Sequence, residues 1–344
     1  MNMVVRPAGA LDAQAWDAFV QAEPSATFFH RLGWKTVLER AFGHRTHFLL
    51  AERDGRIEGV LPLAEIKSRL FGHSLISTPF CVYGGIAAAT PEARQALDLH
   101  AQALAAKLGV GHLEYRDRDA PAHADWPGTD LYVTFRKTLD PDPEQNMLAI
   151  PRKQRAMVRK GIKNGLTSEL EDGVDAFFDV FADNVHRHGT PALPKRFFAL
   201  LREVFGPDCE VQLVRAPTGE IISGVLSFYF RDEILPYYAG DMEAARGLAA
   251  NDFKYWELMR RACERGIRVF DYGRSKVGTG PYDFKRNWGF EPQPLHYGYH
   301  LVTADRVPEN NPNNPKYQMF IRAWQKLPRP VVNFLGPYIV RNLG

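Results

Sequence analysis

The sequence predicts an α/β protein built from two similar domains that follow each other along the chain. Three elements recur in the same order: a β-hairpin, a long helix, and a short strand that ends in an acidic and an aromatic residue. The first hairpin contains Glu58-Gly59-Val60-Leu61, and the second contains Ser223-Gly224-Val225-Leu226. One supersecondary plan used twice indicates an internal repeat, and chance recurrence of common elements is the alternative. A chain of 344 residues is long enough for two such cores.

The first copy begins with two helices. The spacing of apolar residues predicts helices over Leu11 to Ala22 and over Arg31 to Ala41. The hairpin strands His47 to Ala51 and Ile57 to Ile66 follow, joined by a turn that contains Gly55. The remaining predicted elements are strands at Ser74 to Thr78, Gly85 to Ala88 and Gly109 to Arg116, and a helix from Pro91 to Leu108 that has proline at its first position.

The second copy follows a linker-like run from Asp140 to Glu144, which contains two prolines. Its predicted elements are a basic helix, paired helices at Phe177 to His188 and Pro194 to Phe205, hairpin strands at Val211 to Ala216 and Ile221 to Phe230, a strand at Leu235 to Ala239, a helix at Asn251 to Arg265 and a strand at Gly266 to Tyr272. We therefore expect a first domain over residues 1–139, a second over 140–305, and a C-terminal tail over 306–344 that packs on the domains.

Composition excludes several classes of function. No apolar run approaches the ~20 residues that a membrane span needs, and the start of the chain lacks a signal-type core, so we expect no transmembrane segment and no export. The cysteines Cys81, Cys209 and Cys263 lie far apart, which favours a reducing cytoplasm over a disulfide framework. Histidines and cysteines show no metal-ligand spacing, so we expect no metal.

Charge is modest overall but uneven along the chain. A net charge of +3 is too small to indicate bulk binding of nucleic acid. The tail combines lysine and arginine with aromatic residues, so peripheral contact with the inner face of a membrane is the alternative to simple packing.

One basic segment stands out from the rest. Six of the twelve residues from Arg152 to Lys163 are basic and none is acidic. Arg155 and Arg159 fall on one face at helical spacing, where like charges repel. Because guanidinium groups match phosphate geometry, we predict that these two arginines bind a phosphate-bearing ligand, with a solvated basic helix as the alternative.

The stretch from Val269 to Phe290 concentrates charged residues directly after a buried strand. Asp271, Arg274 and Lys285 lie there among glycines and aromatics. Gly278, Gly280 and Pro281 predict a turn, as in a loop that folds over a ligand. A capped strand end with surface ion pairs is the alternative.

The ordered set of motifs resembles the FemAB-type proteins of the GNAT acyltransferase superfamily, most of all the FemAB-like group associated with exosortase/PEP-CTERM and exopolysaccharide gene clusters. The resemblance covers nearly the whole chain. It is carried by the basic run with Gly165, Asn251-Asp252-Phe253-Lys254-Tyr255-Trp256, Phe270-Asp271-Tyr272-Gly273-Arg274-Ser275, Tyr282-Asp283-Phe284-Lys285 with Trp288-Gly289-Phe290, and Leu335-Gly336-Pro337.

This resemblance implies two tandem GNAT-like (acyl-CoA N-acyltransferase) domains with mixed, mainly antiparallel sheets flanked by helices. It implies transfer of an acyl or aminoacyl group to an amine on a cell-envelope, peptidoglycan or exopolysaccharide precursor. The donor is either acyl-CoA or aminoacyl-tRNA, with charged tRNA as a partner in the second case, and no cofactor is tightly bound. The alternative is a non-catalytic binding module for an anionic glycan or lipid-linked precursor.

The same resemblance suggests roles for individual residues. Lys285 lies near the reacting groups in the family, and an ammonium between Phe284 and Trp288 would stabilise a developing oxyanion. Asp271 orients Arg274 or relays a proton, with a structural partner role as the alternative, and Tyr238 supplies a hydroxyl. The predicted substrate-binding residues are Lys35, His30 and Trp34, which match the family's position for acceptor phosphates, together with Arg155, Arg159, Arg274 and Tyr282.

Two departures from the family pattern leave the donor open. No long heptad segment is present that could form a tRNA-binding arm. The pyrophosphate loop of GNAT proteins is poorly matched, because Arg246-Gly247-Leu248-Ala249-Ala250 has alanine where the first motif glycine belongs.

Overall fold

The computed structural model describes residues 3–68, 71–307 and 315–342. The chain forms two compact units, each with an eight-stranded, mainly antiparallel sheet and flanking helices, which confirms the predicted fold class. The first unit comprises Met1–Leu131, Pro294–Asn310 and Arg341–Gly344, and the second comprises Tyr132–Gln293 and Asn311–Val340.

The first unit has its core between the sheet and one long helix. Its strands are β1 (Val4–Pro7), β2 (Thr46–Arg53), β3 (Arg56–Ser68), β4 (Gly72–Ser77), β5 (Ala87–Ala88), β6 (His112–Asp117), β7 (Gly128–Thr129) and β16 (His296–Leu301). Its helices are α1 (Ala13–Ala22), α2 (Gly33–Phe42) and α3 (Pro91–Leu108). The strand order is β1-β2-β3-β4-β6-β16-β7, with β5 beside β3. Leu97 and Ala101 of α3 pack with Leu61 and Leu113 of the sheet.

The second unit also combines a sheet with flanking helices. Its strands are β8 (Tyr132–Thr138), β9 (Thr167–Glu171), β10 (Cys209–Arg215), β11 (Ile221–Phe230), β12 (Glu233–Asp241), β13 (Val269–Asp271), β14 (Ser275–Lys276) and β15 (Pro292–Pro294). Its helices are α4 (Pro143–Ala149), α5 (Arg152–Lys163), α6 (Asp175–Arg187), α7 (Lys195–Phe205), α8 (Ala245–Leu248), α9 (Ala250–Glu264), α10 (Gly280–Asn287), α11 (Pro315–Gln325) and α12 (Arg329–Val340). The strand order is β14-β8-β13-β12-β11-β10-β9, with β15 beside β8.

The structure repeats the predicted order of elements. The hairpin β2–β3, helix α3 and strand β6 of the first unit correspond to the hairpin β10–β11, helix α9 and strand β13 of the second. In each unit the strand after the helix pairs in parallel, β6 with β4 and β13 with β12. A long helix between two parallel strands is the crossover that such pairing requires.

The limits of the two units differ from the predicted domain boundaries. Strand β8 falls inside the predicted first domain, yet it pairs with β13 in the second sheet. Strand β16 falls inside the predicted second domain, yet it pairs with β6 in the first sheet. Hydrogen-bonding partners decide which sheet a strand joins, and position along the chain does not reveal them. In the predicted tail, α11 and α12 belong to the second unit, and residues 308–314 lie outside the described part.

The stretch predicted as a ligand-covering loop contains a helix. Helix α10 begins at Gly280 with Pro281 in its first turn, where proline's missing N–H is not needed. Lys285 is its buried residue, and Trp288 directly after it is fully buried. The correction arises because glycine and proline here mark the start of a helix. None of the helices in the described residues is long and apolar enough to span a membrane.

Candidate functional site

Two parallel strands of the second sheet diverge after a short pairing. Strands β12 and β13 pair only at Glu233 with Val269 and at Ile234 with Phe270 among the described residues. β12 then continues to Asp241 against β11 on its other edge. A strand edge released from its neighbour can meet the backbone-like amide groups of a ligand. The divergence therefore leaves this edge of β12 without β13 as a partner beyond Ile234 among the described residues.

A β-bulge lies in β12 just beyond the divergence. The register shifts so that Leu226 pairs with Tyr238 while Ser227 pairs with Pro236, which leaves Tyr237 as the extra residue. Bulges of this kind bend a strand and redirect its side chains. The ring of Tyr238 lies 5.3 Å from that of Phe198, centroid to centroid, so the predicted site tyrosine packs against the α7 aromatics.

The turn between β12 and α9 contains a non-glycine residue in a left-handed conformation. Ala249 has φ +59°, a left-handed conformation that glycine adopts freely and alanine adopts at a cost of about 1–2 kcal/mol. Helix α9 begins at the next residue, Ala250. An N-terminus of this kind presents backbone N–H groups that favour anions. The turn therefore holds a left-handed residue directly before the N-terminus of α9.

A buried ion pair holds the two ends of this turn. Lys254 in α9 has no exposed surface, and its Nζ lies 3.0 Å from Oδ1 of Asp241 at the end of β12. The hydroxyl of Ser223 donates to the same carboxylate oxygen. The pair fixes α9 relative to β12 across residues 242–249.

The basic helix α5 lies directly against the same turn. A Cβ at Gly161 would lie 2.8 Å from the Cβ of Phe253 and 3.3 Å from the carbonyl oxygen of Ala249. The side-chain amide of Asn164 donates to the carbonyl of Leu248 over 3.2 Å. Only a glycine permits this approach, which sets the last turn of α5 beside the start of α9.

The exposed face of α5 carries the predicted phosphate-binding arginines. It borders an open depression of about 500 Å³, lined by Arg152, Arg155, Ala156, Arg159, Lys160 and Lys163. Arg155 is half-buried and donates to the carbonyl of Leu148 over 3.2 Å. The binding of phosphate by Arg155 and Arg159 stays a prediction.

Lys285 binds backbone carbonyl groups at the end of β13. Its Nζ lies 2.7 Å from the oxygen of Tyr272, 2.9 Å from that of Gly273 and 3.1 Å from that of Arg274. Burial lowers the pKa of Lys285 to about 7, Asp271 opposes this shift and Arg274 adds to it. An ammonium has three N–H donors, and three acceptors surround this one. In this conformation, Lys285 therefore does not have the free donor predicted for an oxyanion.

Asp271 contacts the backbone of the loop after β13 and two side chains of the neighbouring strand β8. Its Oδ1 accepts from the backbone N–H of Gly273 over 2.7 Å and lies 3.2 Å from the hydroxyl of Thr134. Its Oδ2 forms an ion pair with Nε of Arg136 at 3.2 Å, although Arg274 was the partner predicted. Asp271 is fully buried, so it needs these partners. The structure brings the predicted trio together through the backbone of residues 271–274.

The other two predicted residues of this region, Arg274 and Tyr282, contact aromatic rings. The exposed guanidinium of Arg274 lies 4.5 Å from the ring centroid of Tyr132. Half-buried Tyr282 on α10 packs edge-on against Phe135 at 5.5 Å. The binding of substrate by Arg274 and Tyr282 stays a prediction.

Sequence reasoning missed two polar groups near this loop. The hydroxyl of Tyr272 is buried and has no hydrogen-bond partner among the described residues, and burial raises its pKa well above 10. The carboxylate of Asp252, in the first turn of α9, accepts from the indole of Trp288 over 2.9 Å, and burial raises its pKa. Both residues lie inside motifs that carried the family resemblance, which was the available signal.

The three residues predicted in the first unit differ in their surroundings. Trp34 is fully buried and its indole donates to the carbonyl of Phe28 over 3.3 Å. His30 is also buried. The prediction that these two residues contact acceptor phosphates stays a prediction. Lys35 is partly exposed and pairs with Glu39.

Residues 152–286 match the family model described as an acetyltransferase (GNAT) domain. This segment runs from the start of α5 into α10 and contains the divergent strands, the turn at Ala249 and Lys285. No curated protein matches the sequence.

Solved structures resemble the chain over nearly its whole length. One described as FemX is 16% identical, with 93% of this chain and 100% of that chain covered and a TM-score of 0.69. L-PGS from Bacillus licheniformis is 12% identical, with coverages of 92% and 98% and a TM-score of 0.56. A tandem GNAT protein from the clavulanic acid biosynthesis pathway is 14% identical, with coverages of 90% and 100% and a TM-score of 0.55.

The chain thus has the tandem fold of GNAT-like acyltransferases and carries a GNAT acetyltransferase domain, which supports a transferase. The narrower assignment to the exosortase-associated FemAB group stays a prediction. Within the described residues, no group of three or more histidine, cysteine or carboxylate side chains is arranged to hold a metal ion.

Proposed function

We propose that this protein is an acyl- or aminoacyltransferase of FemAB type that acts on an amine of a cell-envelope or exopolysaccharide precursor. The donor is an acyl-CoA or an aminoacyl-tRNA, both of which carry phosphate groups. The observation that carries the proposal is the contact of α5 with the turn before α9. Gly161 lies against the carbonyl of Ala249, so the basic helix and the N-terminus of α9 adjoin each other.

This contact suits a phosphate-bearing donor. The N-terminus of α9 favours negative charge, and Arg159, Lys160 and Lys163 line the neighbouring depression. Strand β12, which leads into the turn, has parted from β13. A donor with phosphates at α5 and α9 can extend its acyl arm along this released edge.

The remaining groups suit the transfer step. The amine attacks the donor carbonyl carbon, loses a proton and expels the thiol or ribose oxygen of the donor. In this proposal Lys285 is a positioning residue, since its ammonium holds the carbonyls of residues 272–274 at the end of β13. Exposed Arg274 is a substrate-binding residue in this proposal, and partly exposed Lys35 of the first unit is, separately, a residue for acceptor phosphates.

Incubation of the purified protein with acyl-CoAs, and separately with charged tRNA, tests the proposal. Mass spectrometry of amine acceptors such as peptidoglycan precursors should show a mass increase equal to the transferred group. The Lys153→Ala variant is a matched control for later α5 variants, because Lys153 is exposed and does not line the depression. Absence of product with both donor classes, in protein that still binds coenzyme A, would contradict the proposed transfer.

The basic depression alone favours a second candidate, a binding module for an anionic glycan or lipid-linked precursor. Its lining contains five cationic side chains, and charge alone is sufficient for anion binding. Saturable binding of an anionic glycan, without product from either donor, would favour this candidate over the transferase.

A further inference from the structure

Helix α12 presents an apolar stripe to solvent. Val331, Phe334, Leu335 and Tyr338 are exposed, with 68% of Phe334 and 60% of Tyr338 accessible. Their spacing of three, four and seven residues places them on one face of the helix. Exposed apolar side chains grouped in this way are uncommon on soluble surfaces and mark an interaction site.

The opposite face of α12 explains why the stripe does not turn inward. Val332 is 3% exposed, and a Cβ at Gly336 would lie 3.1 Å from the carbonyl oxygen of Ala192. Arg329 at the start of the helix forms an ion pair with Asp183 of α6. The helix is therefore docked on the second unit through one face, and the apolar stripe remains on the other.

Helix α11 adds exposed apolar residues to the same terminal segment. Met319 is 70% exposed and Phe320 is 40% exposed. Trp324, by contrast, is buried, and the side chain of Gln325 donates to the carbonyl of Arg187 over 2.7 Å. Both terminal helices are thus anchored to α6 or its flank while they expose large apolar side chains.

The charge of this segment points to an anionic partner. From Asn310 to the last residue there are no acidic residues, and the basic residues are Lys316, Arg322, Lys326, Arg329 and Arg341. These five positive charges exceed the net charge of +3 of the whole chain. Arg322 and Lys326 are exposed beside the apolar residues.

We propose that the exposed face of α11 and α12 docks on an anionic lipid bilayer surface. Large apolar side chains next to lysine and arginine are the composition of helices that lie in the headgroup region. The apolar stripe would enter the acyl boundary while Arg322 and Lys326 contact lipid phosphates. A second copy of this chain is a poorer partner, because two such faces would bring like charges together.

Vesicle flotation tests this docking independently of transfer, since none of the residues involved belongs to the candidate site. The full chain is mixed with vesicles of phosphatidylcholine alone and with vesicles that also contain phosphatidylglycerol. We expect binding to the anionic vesicles, weakened by high salt. The Phe334→Ser variant should bind them at least roughly tenfold less, because it removes a large apolar side chain from the stripe that enters the acyl boundary.

Phe71→Ser is the matched control, since Phe71 is 48% exposed and lies outside the terminal helices. It should bind the anionic vesicles as the unaltered protein does. Equal binding to both vesicle types, or equal loss in the two variants, would overturn the proposal. So would a dimer by light scattering that Phe334→Ser converts to monomer while vesicle binding is absent, which would assign the face to a second copy.

Discussion

The second unit contains two buried lysines that are compensated in different ways. Lys254 is fully buried and pairs with the carboxylate of Asp241 at 3.0 Å. Lys285 is 9% exposed and its three close acceptors are backbone carbonyls. Each lysine fixes a turn that borders the divergent strands β12 and β13.

The two lysines differ in the charge of the groups that they contact. Opposite charge stabilises a buried ammonium better than neutral carbonyl dipoles do, and of the two lysines Lys254 is the one in direct contact with a carboxylate. The pKa of Lys285 falls to about 7 because burial outweighs the raising effect of Asp271. Strongly perturbed groups of this kind cluster at functional sites. The comparison therefore predicts a stabilising role for Lys254 and keeps Lys285 as the candidate for a functional role.

The largest expected effect is on stability, from Lys254→Met. The substitution removes a charge-assisted contact with the partly exposed Asp241, so the free energy of unfolding should fall by about 1.5–3 kcal/mol. Arg260→Met on the same helix is the control. Arg260 is partly exposed and pairs with Glu257, so its loss should cost less than about 1 kcal/mol. Denaturant titration measures the free energy of unfolding of both variants. Equal decreases would show that the pair of Lys254 with Asp241 contributes no more than an exposed ion pair.

The second prediction concerns pH and Lys285. An unfolded lysine keeps its proton to about pH 10.4, so above about pH 7 the unfolded chain binds more protons than the folded chain. The free energy of unfolding should therefore rise with pH, by about 2 kcal/mol between about pH 7 and about pH 9, relative to Lys285→Met. Parallel pH curves for the two proteins would show that the pKa of Lys285 is not lowered.

The third prediction extends the comparison to the exposed cations of α5. Replacing both Arg155 and Arg159 with alanine should weaken binding of coenzyme A by at least about tenfold, since charge-assisted contacts contribute about 1.5–3 kcal/mol each. Calorimetric titration measures the affinity, and the melting temperature should not change. The control Lys153→Ala/Lys107→Ala removes two exposed charges away from the depression. Equal affinities in both variants would indicate that α5 is a solvated basic helix without a role in phosphate binding.

The smallest expected effect is from Tyr272→Phe. Removing a buried hydroxyl without a partner should raise the free energy of unfolding by about 1 kcal/mol. A hydroxyl kept at that cost indicates a functional contact, so the turnover rate should fall as stability rises. A variant that is more stable and equally active would make the hydroxyl dispensable.

Local patterns made much of the fold predictable. Helix α5, helix α3 and strand β11 have the bounds that the sequence predicts, because periodicity and turn residues act over a few neighbours. Helix α10 was missed because its glycines and proline are typical of a turn. The exchange of β8 and β16 between the two sheets was missed, since pairing partners far apart in the chain leave no local signal.

The sequence predicted which residues belong to the candidate site better than it predicted their contacts. The motifs brought Asp271, Arg274 and Lys285 to one loop, as found. Their partners were not predictable, because Lys285 binds carbonyls that every residue carries and Asp271 pairs with Arg136 from a distant strand. The complete burial of Trp34 was not predictable either, because burial depends on the complete fold.

Steady-state kinetics of Lys285→Met at saturating donor test the central claim most directly. Methionine keeps most of the unbranched stem and removes the charge. If Lys285 sets the loop at the divergent strands for transfer, the turnover rate should fall roughly 10²–10³-fold, while the KM for the donor stays near its original value. A rise in KM with normal turnover would make Lys285 a ground-state donor contact. A normal turnover rate together with an unchanged KM would contradict the assignment of function to Lys285.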